Sequence, residues 1–132
     1  MTKQISLFLE NKNGRISEVA KTLGVNGINM KAFSMTETPD FGILRIVVSD
    51  TEKAVVALNE ANFAVSITDV VCIECDDQPG ALAEVLGLLA SEDIGINYMY
   101  AFSEGNVAKF VIKTADVDKC EDALRKAGCT IV

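Results

Sequence analysis

The sequence predicts an α+β protein built from two similar βαββαβ repeats. Sliding the 132-residue chain along itself by half its length superposes Gly14 on Gly80 and Glu18 on Glu84. Within each half, stretches of period-two spacing alternate with stretches of helical spacing, in the order strand, helix, strand, strand, helix, strand. This order is typical of the ferredoxin-like arrangement, an antiparallel four-stranded sheet with both helices on one face. We expect repeat one over 1–67 and repeat two over 68–132.

The first strand and first helix of each repeat are marked by the spacing of their apolar residues. Two strands are predicted by period-two spacing. The apolar positions are Ile5, Leu7 and Leu9, which alternate with Gln4, Ser6 and Glu10, and Val71, Ile73 and Cys75 in the second repeat. A short polar loop that ends in a glycine follows each strand. Apolar residues then recur at helical spacing: Ile16, Val19, Ala20 and Leu23 in repeat one, and Leu82, Val85, Leu86 and Leu89 in repeat two.

The remaining elements follow in the same order in both repeats. Strands are predicted at about 28–36 and 42–49, and at 96–103 and 106–114, the latter pair joined by a hairpin at 103–106. The second helix begins after a capping box from Ser49 to Glu52 in repeat one and after Asp116 in repeat two. Strands at 63–67 and 129–132 close the repeats.

Composition and charge exclude several classes of function. The formal net charge is -7, so the chain lacks the excess of Lys and Arg with which proteins bind nucleic acids or anionic membranes. The absence of histidine excludes catalysis and metal binding that depend on imidazole. The excess charge belongs to repeat two: residues 1–66 carry seven basic and seven acidic side chains, and residues 67–132 carry five and twelve.

The sequence also predicts a cellular setting. The N-terminal apolar stretch is too short for a secretory signal, and no apolar run approaches the roughly 20 residues of a membrane span. We therefore expect a cytoplasmic protein without a membrane partner. Its four cysteines are then expected to be reduced thiols.

Two polar loops that end in glycine, each followed by Gly-Ile-Asn, carry a resemblance to the ACT domain, a regulatory module that binds free amino acids. The loops are Asn11-Lys12-Asn13-Gly14 and Asp77-Gln78-Pro79-Gly80, and the tripeptides end at Asn29 and Asn97. Two copies cover essentially the whole chain. The chain therefore resembles a tandem ACT protein, for which we expect a non-catalytic role in allosteric sensing and no cofactor.

The resemblance implies a ligand site at the first loop of each repeat, completed by the asparagine that opens strand 2, which often comes from a partner domain. Carried over by position, the ligand-binding residues are Asn11, Asn13, Gly14, Asn29, Asp77, Gln78, Gly80 and Asn97. Repeat one departs from the family pattern because Asn13 stands where proline is usual.

The chemistry of these residues suits a free amino acid. Unpaired N–H groups at a helix N-terminus suit its carboxylate, and Asp77 with the amide oxygens of Asn29 or Asn97 suits its ammonium group. Each residue also has a structural interpretation. The two glycines serve a tight turn, the asparagines are common turn residues, and Asp77 is a possible cap of the helix that follows.

The loops differ in charge. Glu10, Lys12 and Arg15 surround the first loop, whereas Glu74, Asp76 and Asp77 surround the second, with no basic residue nearby in sequence. We expect the second loop to prefer a polar amino acid with positive or hydrogen-bond-donating character, such as histidine.

The short link between the repeats constrains their assembly. ACT domains commonly pair through strand 2, and that pairing within one chain would leave about 29 Å for the link to cross. Thr68 and Asp69 reach only about 7 Å. The alternatives are an exchange of terminal strands, with repeat one taking Cys129–Val132, or pairing between chains in a homodimer, which we expect. A regulated enzyme is then expected to be a separate chain.

The rival interpretation is a metal-binding module of the same fold that uses Cys72 and Cys75. Such a pair chelates an ion when both sulfurs turn to one side of a loop. Residues three apart within a strand point to opposite faces, so we expect no metal site and no catalytic residues.

Overall fold

The computed structural model describes residues 1–10 and 12–132 and divides into two compact units. One unit is Lys3–Thr68, and the other is Asp69–Val132 together with Met1–Thr2. The division between Thr68 and Asp69 lies one residue from the repeat boundary that the sequence suggests. Each unit is a ferredoxin-like repeat, as the sequence predicts.

The first repeat contains β1 (Thr2–Glu10), α1 (Arg15–Val25), β2 (Met30–Glu37), β3 (Phe41–Val48), α2 (Thr51–Glu60) and the beginning of β4 (Val65–Asp76). The strands are ordered β2-β3-β1-β4. β3 is antiparallel to both β1 and β2, with Ile46 opposite Ile5 on one side and Phe33 on the other. The last strand thus lies beside the first, in agreement with the ferredoxin-like arrangement that the sequence predicts.

The core of the first repeat lies between the sheet and its two helices. Ile5, Leu7 and Leu9 are buried on one face of β1, as their alternation predicts. They pack with residues of the helices and of β3 in one cluster: Val19, Leu23, Leu44, Ile46, Ala54 and Leu58. Burial of these side chains supplies the main driving force for folding this repeat.

The second repeat contains the rest of β4, α3 (Ala81–Ser91), β5 (Tyr98–Glu104), β6 (Val107–Lys113), α4 (Val117–Lys126) and β7 (Thr130–Ile131). β4 lies between β6 and β7, and β5 lies at the outer edge beside β6. Its core has the same composition as that of the first repeat, with aliphatic residues from the sheet against the two helices: Val71, Ile73, Val85, Leu89, Ile112 and Leu124.

The terminal strand stays within its own repeat. Ile131 and Thr130 of β7 lie opposite Ile73 and Glu74 of β4. The backbone N–H of Val132 donates to the carbonyl of Cys72 at 2.8 Å. The exchange of terminal strands that the short link allowed does not occur in this structure.

The second helix of each repeat is capped by an aspartate. The side chains of Asp50 and Asp116 accept hydrogen bonds from the backbone N–H groups three residues later, both at 3.1 Å. The prediction for Asp116 is therefore confirmed. The capping box at Ser49 is wrong, because the Ser49 hydroxyl instead accepts from the N–H of Asn29 at 3.1 Å.

The described helices are all too short and too polar to cross a lipid bilayer.

Candidate functional site

The first helix of each repeat begins at a glycine in the left-handed region of backbone space. Gly14 has φ 89° and Gly80 has φ 90°, and neither helix receives a cap from a side chain. By contrast, the second helix of each repeat is capped by an aspartate side chain. Among the described residues no side chain accepts from the first-turn N–H groups of α1 and α3, so those groups that also lack a backbone acceptor remain available to a ligand.

The space in front of both glycines is open. A Cβ atom built on Gly14 or Gly80 would meet no heavy atom within 4 Å. The positive φ by itself accounts for glycine in these turns, because other residues rarely adopt it. The open space additionally permits a ligand to approach the backbone. The turn interpretation and the binding interpretation are therefore compatible.

In the second loop, two backbone hydrogen bonds fix the turn and leave donors exposed. The N–H of Gln78 donates to the carbonyl of Asp76 at 2.9 Å, and the N–H of Ala81 donates to the carbonyl of Gln78 at 3.2 Å. The N–H groups of Leu82 and Ala83 have no acceptor among the described residues. These two groups point to a binding site for an anionic group at the start of α3.

Asp77 does not cap the helix that follows it. The first residue before α3 is Gly80, and no side chain accepts a hydrogen bond there. The Asp77 carboxylate is exposed and has no ion pair with the residues that the structure describes. The carboxylate is therefore available to a positively charged group beside the free N–H groups.

A pocket of about 330 Å³ lies at this loop, lined by Asp76, Asp77, Gln78, Gly105 and Asn106. Gly105 and Asn106 form the turn of the β5–β6 hairpin. They reach the loop because Asp76 lies opposite Val107 in the register of β4 and β6. Sequence reasoning identified the hairpin but missed these two residues as part of the site. They can be identified only from the strand register, which places the β5–β6 turn and the loop after β4 at the same end of the sheet.

The first loop carries a different set of charges. Asn11 lies outside the described residues, and Asn13 is exposed in the turn. Lys12 pairs with Glu10 at 2.9 Å, and this hydrogen bond, together with the charges of Lys12 and Arg15, holds the pKa of the Glu10 carboxyl below its ordinary value. No other residue of this loop bears a carboxylate.

Arg15 is the main cation beside the first helix start. Its guanidinium forms a salt bridge with Glu18 at 2.6 Å and lies over the ring of Phe63, 4.6 Å from the centroid. Its Nε is buried without a hydrogen-bond partner in the described part of the chain. The equivalent position in the second repeat is Ala81, so the two helix starts differ by a full positive charge.

The strand asparagines lie at the other end of each sheet from the loops. Asn29 precedes β2 beside Ser49, whereas the first loop follows Glu10, which lies opposite Phe41. The length of β3 separates these positions by about 24 Å. In the second repeat the N–H of Asn97 donates to the carbonyl of Lys113 at 2.9 Å, again at the end away from the loop. Neither asparagine therefore contributes to the loop site of its own repeat.

Glu74 also lies apart from the acidic loop. Its carboxylate in β4 is 3.8 Å from the Nζ atom of Lys109 on β6, and Lys109 is also paired with Glu104. The Glu104 hydrogen bond raises the pKa of Lys109 above its ordinary value, although burial opposes this shift. The expectation that Glu74 belongs to the loop, with no base nearby, is corrected by this cross-strand pair. The loop charge is that of Asp76 and Asp77.

Cys72 and Cys75 do not converge on one point. Cys72 lies opposite Val111 and is buried, and Cys75 lies opposite Ala108 and packs against the core under the helices. Residues three apart on β4 occupy opposite faces of the sheet, as expected. No cluster of three or more metal-binding side chains occurs within residues 1–10 and 12–132.

A larger cavity of about 620 Å³ lies between α3 and α4, away from the loops. Its walls bear both signs of charge, including Asp118, Asp122, Lys119 and Lys126. The Asp116 side chain at its edge is already engaged in capping α4. This cavity lies at the start of α4, where a side-chain cap is already in place and basic side chains stand beside the acidic ones, whereas α3 begins without a cap beside two carboxylates. The loop pocket is therefore better suited to a free amino acid.

The sequence matches the family described as an ACT domain pair over residues 1–129. The chain is a member of the ACT domain pair family. It is thus a tandem repeat of the regulatory, amino-acid-sensing type, and the resemblance noted in the sequence is confirmed. A comparison with curated protein sequences finds no match.

Solved structures agree with this ACT domain pair. Protein BT0572 from Bacteroides thetaiotaomicron has 49% sequence identity and a TM-score of 0.94, with 99% of this chain and 91% of that chain covered. The regulatory subunit of aspartate kinase from Thermus thermophilus has 19% identity and a TM-score of 0.70, with 96% and 90% covered. The corresponding subunit from Thermus flavus has 17% identity and a TM-score of 0.63, with 96% and 92% covered.

Proposed function

We propose that this ACT domain pair is a non-catalytic sensor that binds a free L-amino acid at the loop after the first strand of a repeat. The observation that carries the proposal is the start of α3. There, the N–H groups of Leu82 and Ala83 are free, and the loop that leads into the helix carries the exposed Asp77 carboxylate and a pocket of about 330 Å³. This volume is at the lower end of the range for ligand sites, which suits a small molecule.

The site offers a partner to each charge of an amino acid. The ligand carboxylate accepts hydrogen bonds from Leu82 and Ala83 and is stabilised by the positive end of the helix dipole. The ligand ammonium group donates to the Asp77 carboxylate, as a charge-assisted hydrogen bond. Gly80 permits the close approach because it has no side chain.

The acidic side chains favour a polar ligand with positive or hydrogen-bond-donating character, such as histidine, in the second repeat. Asp76 and Asp77 provide more negative charge than one ammonium group neutralises, and the hairpin turn at Gly105 and Asn106 adds polar backbone. An acidic side chain would meet electrostatic repulsion here. The first loop, with Lys12 and Arg15, does not share this preference.

A homodimer is part of the proposal because the strand asparagines need a second domain to reach a loop. Asn29 lies about 24 Å from the loop of its own repeat, as judged from the length of β3. In a dimer paired through the β2 edges, an asparagine of one chain approaches a loop of the other. Light scattering at micromolar concentration tests the dimer, and a monomer in both the presence and the absence of ligand would reject it.

A melting-temperature screen against the twenty amino acids tests the binding proposal. Saturation at about 100 times the dissociation constant adds roughly 2.7 kcal/mol, which raises the melting temperature by several degrees. Each positive ligand is then repeated with Asp77→Ala and with Asn29→Ala. Asp118→Ala is the matched control, because Asp118 is an acidic residue of the same repeat at the other cavity.

The outcomes separate binding from its location. A shift that Asp77→Ala abolishes and Asp118→Ala preserves supports the loop site. The reverse pattern moves the site to the cavity between α3 and α4. No shift with any amino acid rejects amino-acid binding and leaves only the fold.

A further inference from the structure

The register of β4 and β7 brings together two cysteines that are distant in sequence. Ile73 lies opposite Ile131 and Glu74 lies opposite Thr130, and continuing this antiparallel register by one residue, to the position just before β7, places Cys129 opposite Cys75. The sequence drew attention to Cys72 and Cys75, which lie on opposite faces of β4. The register instead selects Cys129 as the neighbour of Cys75.

The hydrogen bonds identify the type of this pair. The N–H of Val132 donates to the carbonyl of Cys72, so residues 72 and 132 form a hydrogen-bonded pair. Hydrogen-bonded and non-hydrogen-bonded pairs alternate along antiparallel strands, which makes Cys75 and Cys129 a non-hydrogen-bonded pair. The N–H of Cys129 accordingly points away and donates to the carbonyl of Leu124 at 3.0 Å.

This pairing satisfies the geometric requirement for a disulfide. The Cα atoms of a non-hydrogen-bonded pair are about 4.5 Å apart, and disulfides span Cα separations of about 4.4–6.8 Å. Both side chains pack against the same core cluster, which places them on one face of the sheet. The register and the shared face therefore meet the spacing and orientation that a disulfide requires.

The other two cysteines are excluded by their burial. Cys120 is fully buried within α4, and Cys72 is buried on the opposite face of β4. Cys75 and Cys129 are both half-buried, so a small oxidant reaches them. All four cysteines are thiols in this structure.

We infer that Cys75 and Cys129 are a thiol–disulfide modification site, oxidised reversibly by a peroxide. In the first step the Cys129 thiol loses its proton, and the thiolate attacks one oxygen of hydrogen peroxide and breaks the O–O bond. This gives a sulfenic acid at Cys129 and a hydroxide ion, which takes up the proton lost by the thiol and becomes water. The Cys75 sulfur then attacks the sulfenic sulfur and forms the S–S bond, and the hydroxyl group leaves as a second water with the Cys75 proton. A dithiol reductant returns both residues to thiols.

The position of the pair explains what the bond would change. Cys75 directly precedes Asp76 and Asp77, so the bond fastens the base of the loop to the end of the chain. Burial, the nearby Cys129 and the Asp76 carboxylate raise the pKa of the Cys75 thiol, so Cys75 is mainly neutral at neutral pH. This supports Cys129 as the first residue to react with peroxide.

The test uses the full chain treated with hydrogen peroxide and then unfolded for thiol titration and peptide mapping. We expect free thiols to fall from four to two per chain, with a cross-linked peptide that contains Cys75 and Cys129 and a mass loss of two hydrogen atoms. The melting temperature should rise by at least about 5 °C, because the bond closes a long loop in the unfolded chain. Dithiothreitol should reverse all three changes.

Variants make the assignment specific. Cys75→Ser and Cys129→Ser should each prevent the intramolecular bond and the rise in melting temperature, whereas Cys72→Ala should retain both. Circular dichroism before oxidation confirms that each variant is folded, and the peptide map of the wild-type chain is decisive without them. A Cys72–Cys75 bond, a bond between chains, or four remaining thiols would overturn the inference. None of these readouts depends on amino-acid binding.

Discussion

The first helices of the two repeats begin at glycines with nearly the same backbone conformation, and the charged residues near those glycines differ in sign. Gly14 and Gly80 have φ values of 89° and 90°, and each is followed by an eleven-residue helix without a side-chain cap. Around the first glycine the structure has Lys12 and Arg15, and around the second it has Asp76 and Asp77. Both repeats therefore expose backbone N–H groups at an uncapped helix start, and they differ in the charged side chains around that start.

This comparison distinguishes features that the turn needs in both repeats from features that differ between the repeats. The left-handed glycine and the uncapped helix recur because they define the turn, and the second helices show that this fold does use side-chain caps elsewhere. The charges are not needed for the turn, since both signs occur around the same backbone. Under the proposed function, the charges are what would distinguish the ligands of the two loops.

The largest effect on the shared backbone is expected from Gly80→Val. Since a Cβ at Gly80 meets no atom within 4 Å, the cost comes from the left-handed backbone alone and amounts to about 1–3 kcal/mol of unfolding free energy. Ligand binding should be lost as the turn rearranges. Urea unfolding measures the stability change.

Gly87→Ala is the matched control for that change. Gly87 lies within α3, also with open space around it and without a positive φ. Alanine there should stabilise the chain by about 0.5–1 kcal/mol. Equal effects of the two substitutions would show that the backbone at Gly80 is not special.

The next largest effect concerns the charge of the second loop. Asp77→Asn should weaken binding of a cationic or polar amino acid by about tenfold, because the charge-assisted hydrogen bond to the ammonium group is lost. Isothermal titration calorimetry measures the dissociation constant. If Asp77→Asn bound the amino acid with unchanged affinity, the loop charge would not be what selects the ligand.

A smaller effect on stability is expected at the second helices, which have the side-chain caps that the first helices lack. Asp50→Ala should lower the unfolding free energy by about 1 kcal/mol, because the N–H of Lys53 loses its acceptor. Glu52→Gln should change it by less than about 0.5 kcal/mol, since Glu52 takes no part in the cap. Thermal unfolding of both variants checks this, and a larger loss at Glu52 would restore the capping box.

The smallest effect is expected at the first loop. Lys12→Met should raise the pKa of the Glu10 carboxyl towards its ordinary value, because Lys12 is the main cause of its lowering. The lowered pKa favours the folded state above the unfolded pKa of Glu10, and this contribution disappears as the pH falls through the folded pKa. A carbon-detected NMR titration of Glu10 measures the shift, and no change would remove Lys12 as the cause.

The sequence predicts the fold well because the same pattern of apolar spacing occurs twice, so that each repeat supports the interpretation of the other. Period-two spacing at Ile5, Leu7 and Leu9 and its recurrence at Val71 and Ile73 identify the first strands. Most element bounds agree to within a few residues, but the strands predicted at 63–67 and 71–75 are one strand, β4 (Val65–Asp76), in the structure. The capping box failed because Ser49 and Asp50 are both good caps, and only the position of Asn29 beside Ser49 decides between them.

The site was predictable only in part, because strand register is a property of the folded chain. The glycines and Asp77 could be found from the repeated loop. Three further features depend on which residues lie opposite one another in the sheet. They are the place of Gly105 and Asn106 at the loop pocket, the salt bridge between Glu74 and Lys109, and the distance of Asn29 from its own loop. A single sequence does not encode these pairings as a local pattern.

The most direct test of the central claim is an NMR titration of the isotope-labelled chain with histidine and, separately, with aspartate. We expect histidine to shift the amide signals of Gly80, Leu82 and Ala83 at lower concentration than aspartate does. We also expect the signals of 12–18 to follow a different histidine curve. Aspartate binding at the second loop at least as tightly as histidine, or identical curves for both loops, would show that the loop charges do not select the ligand.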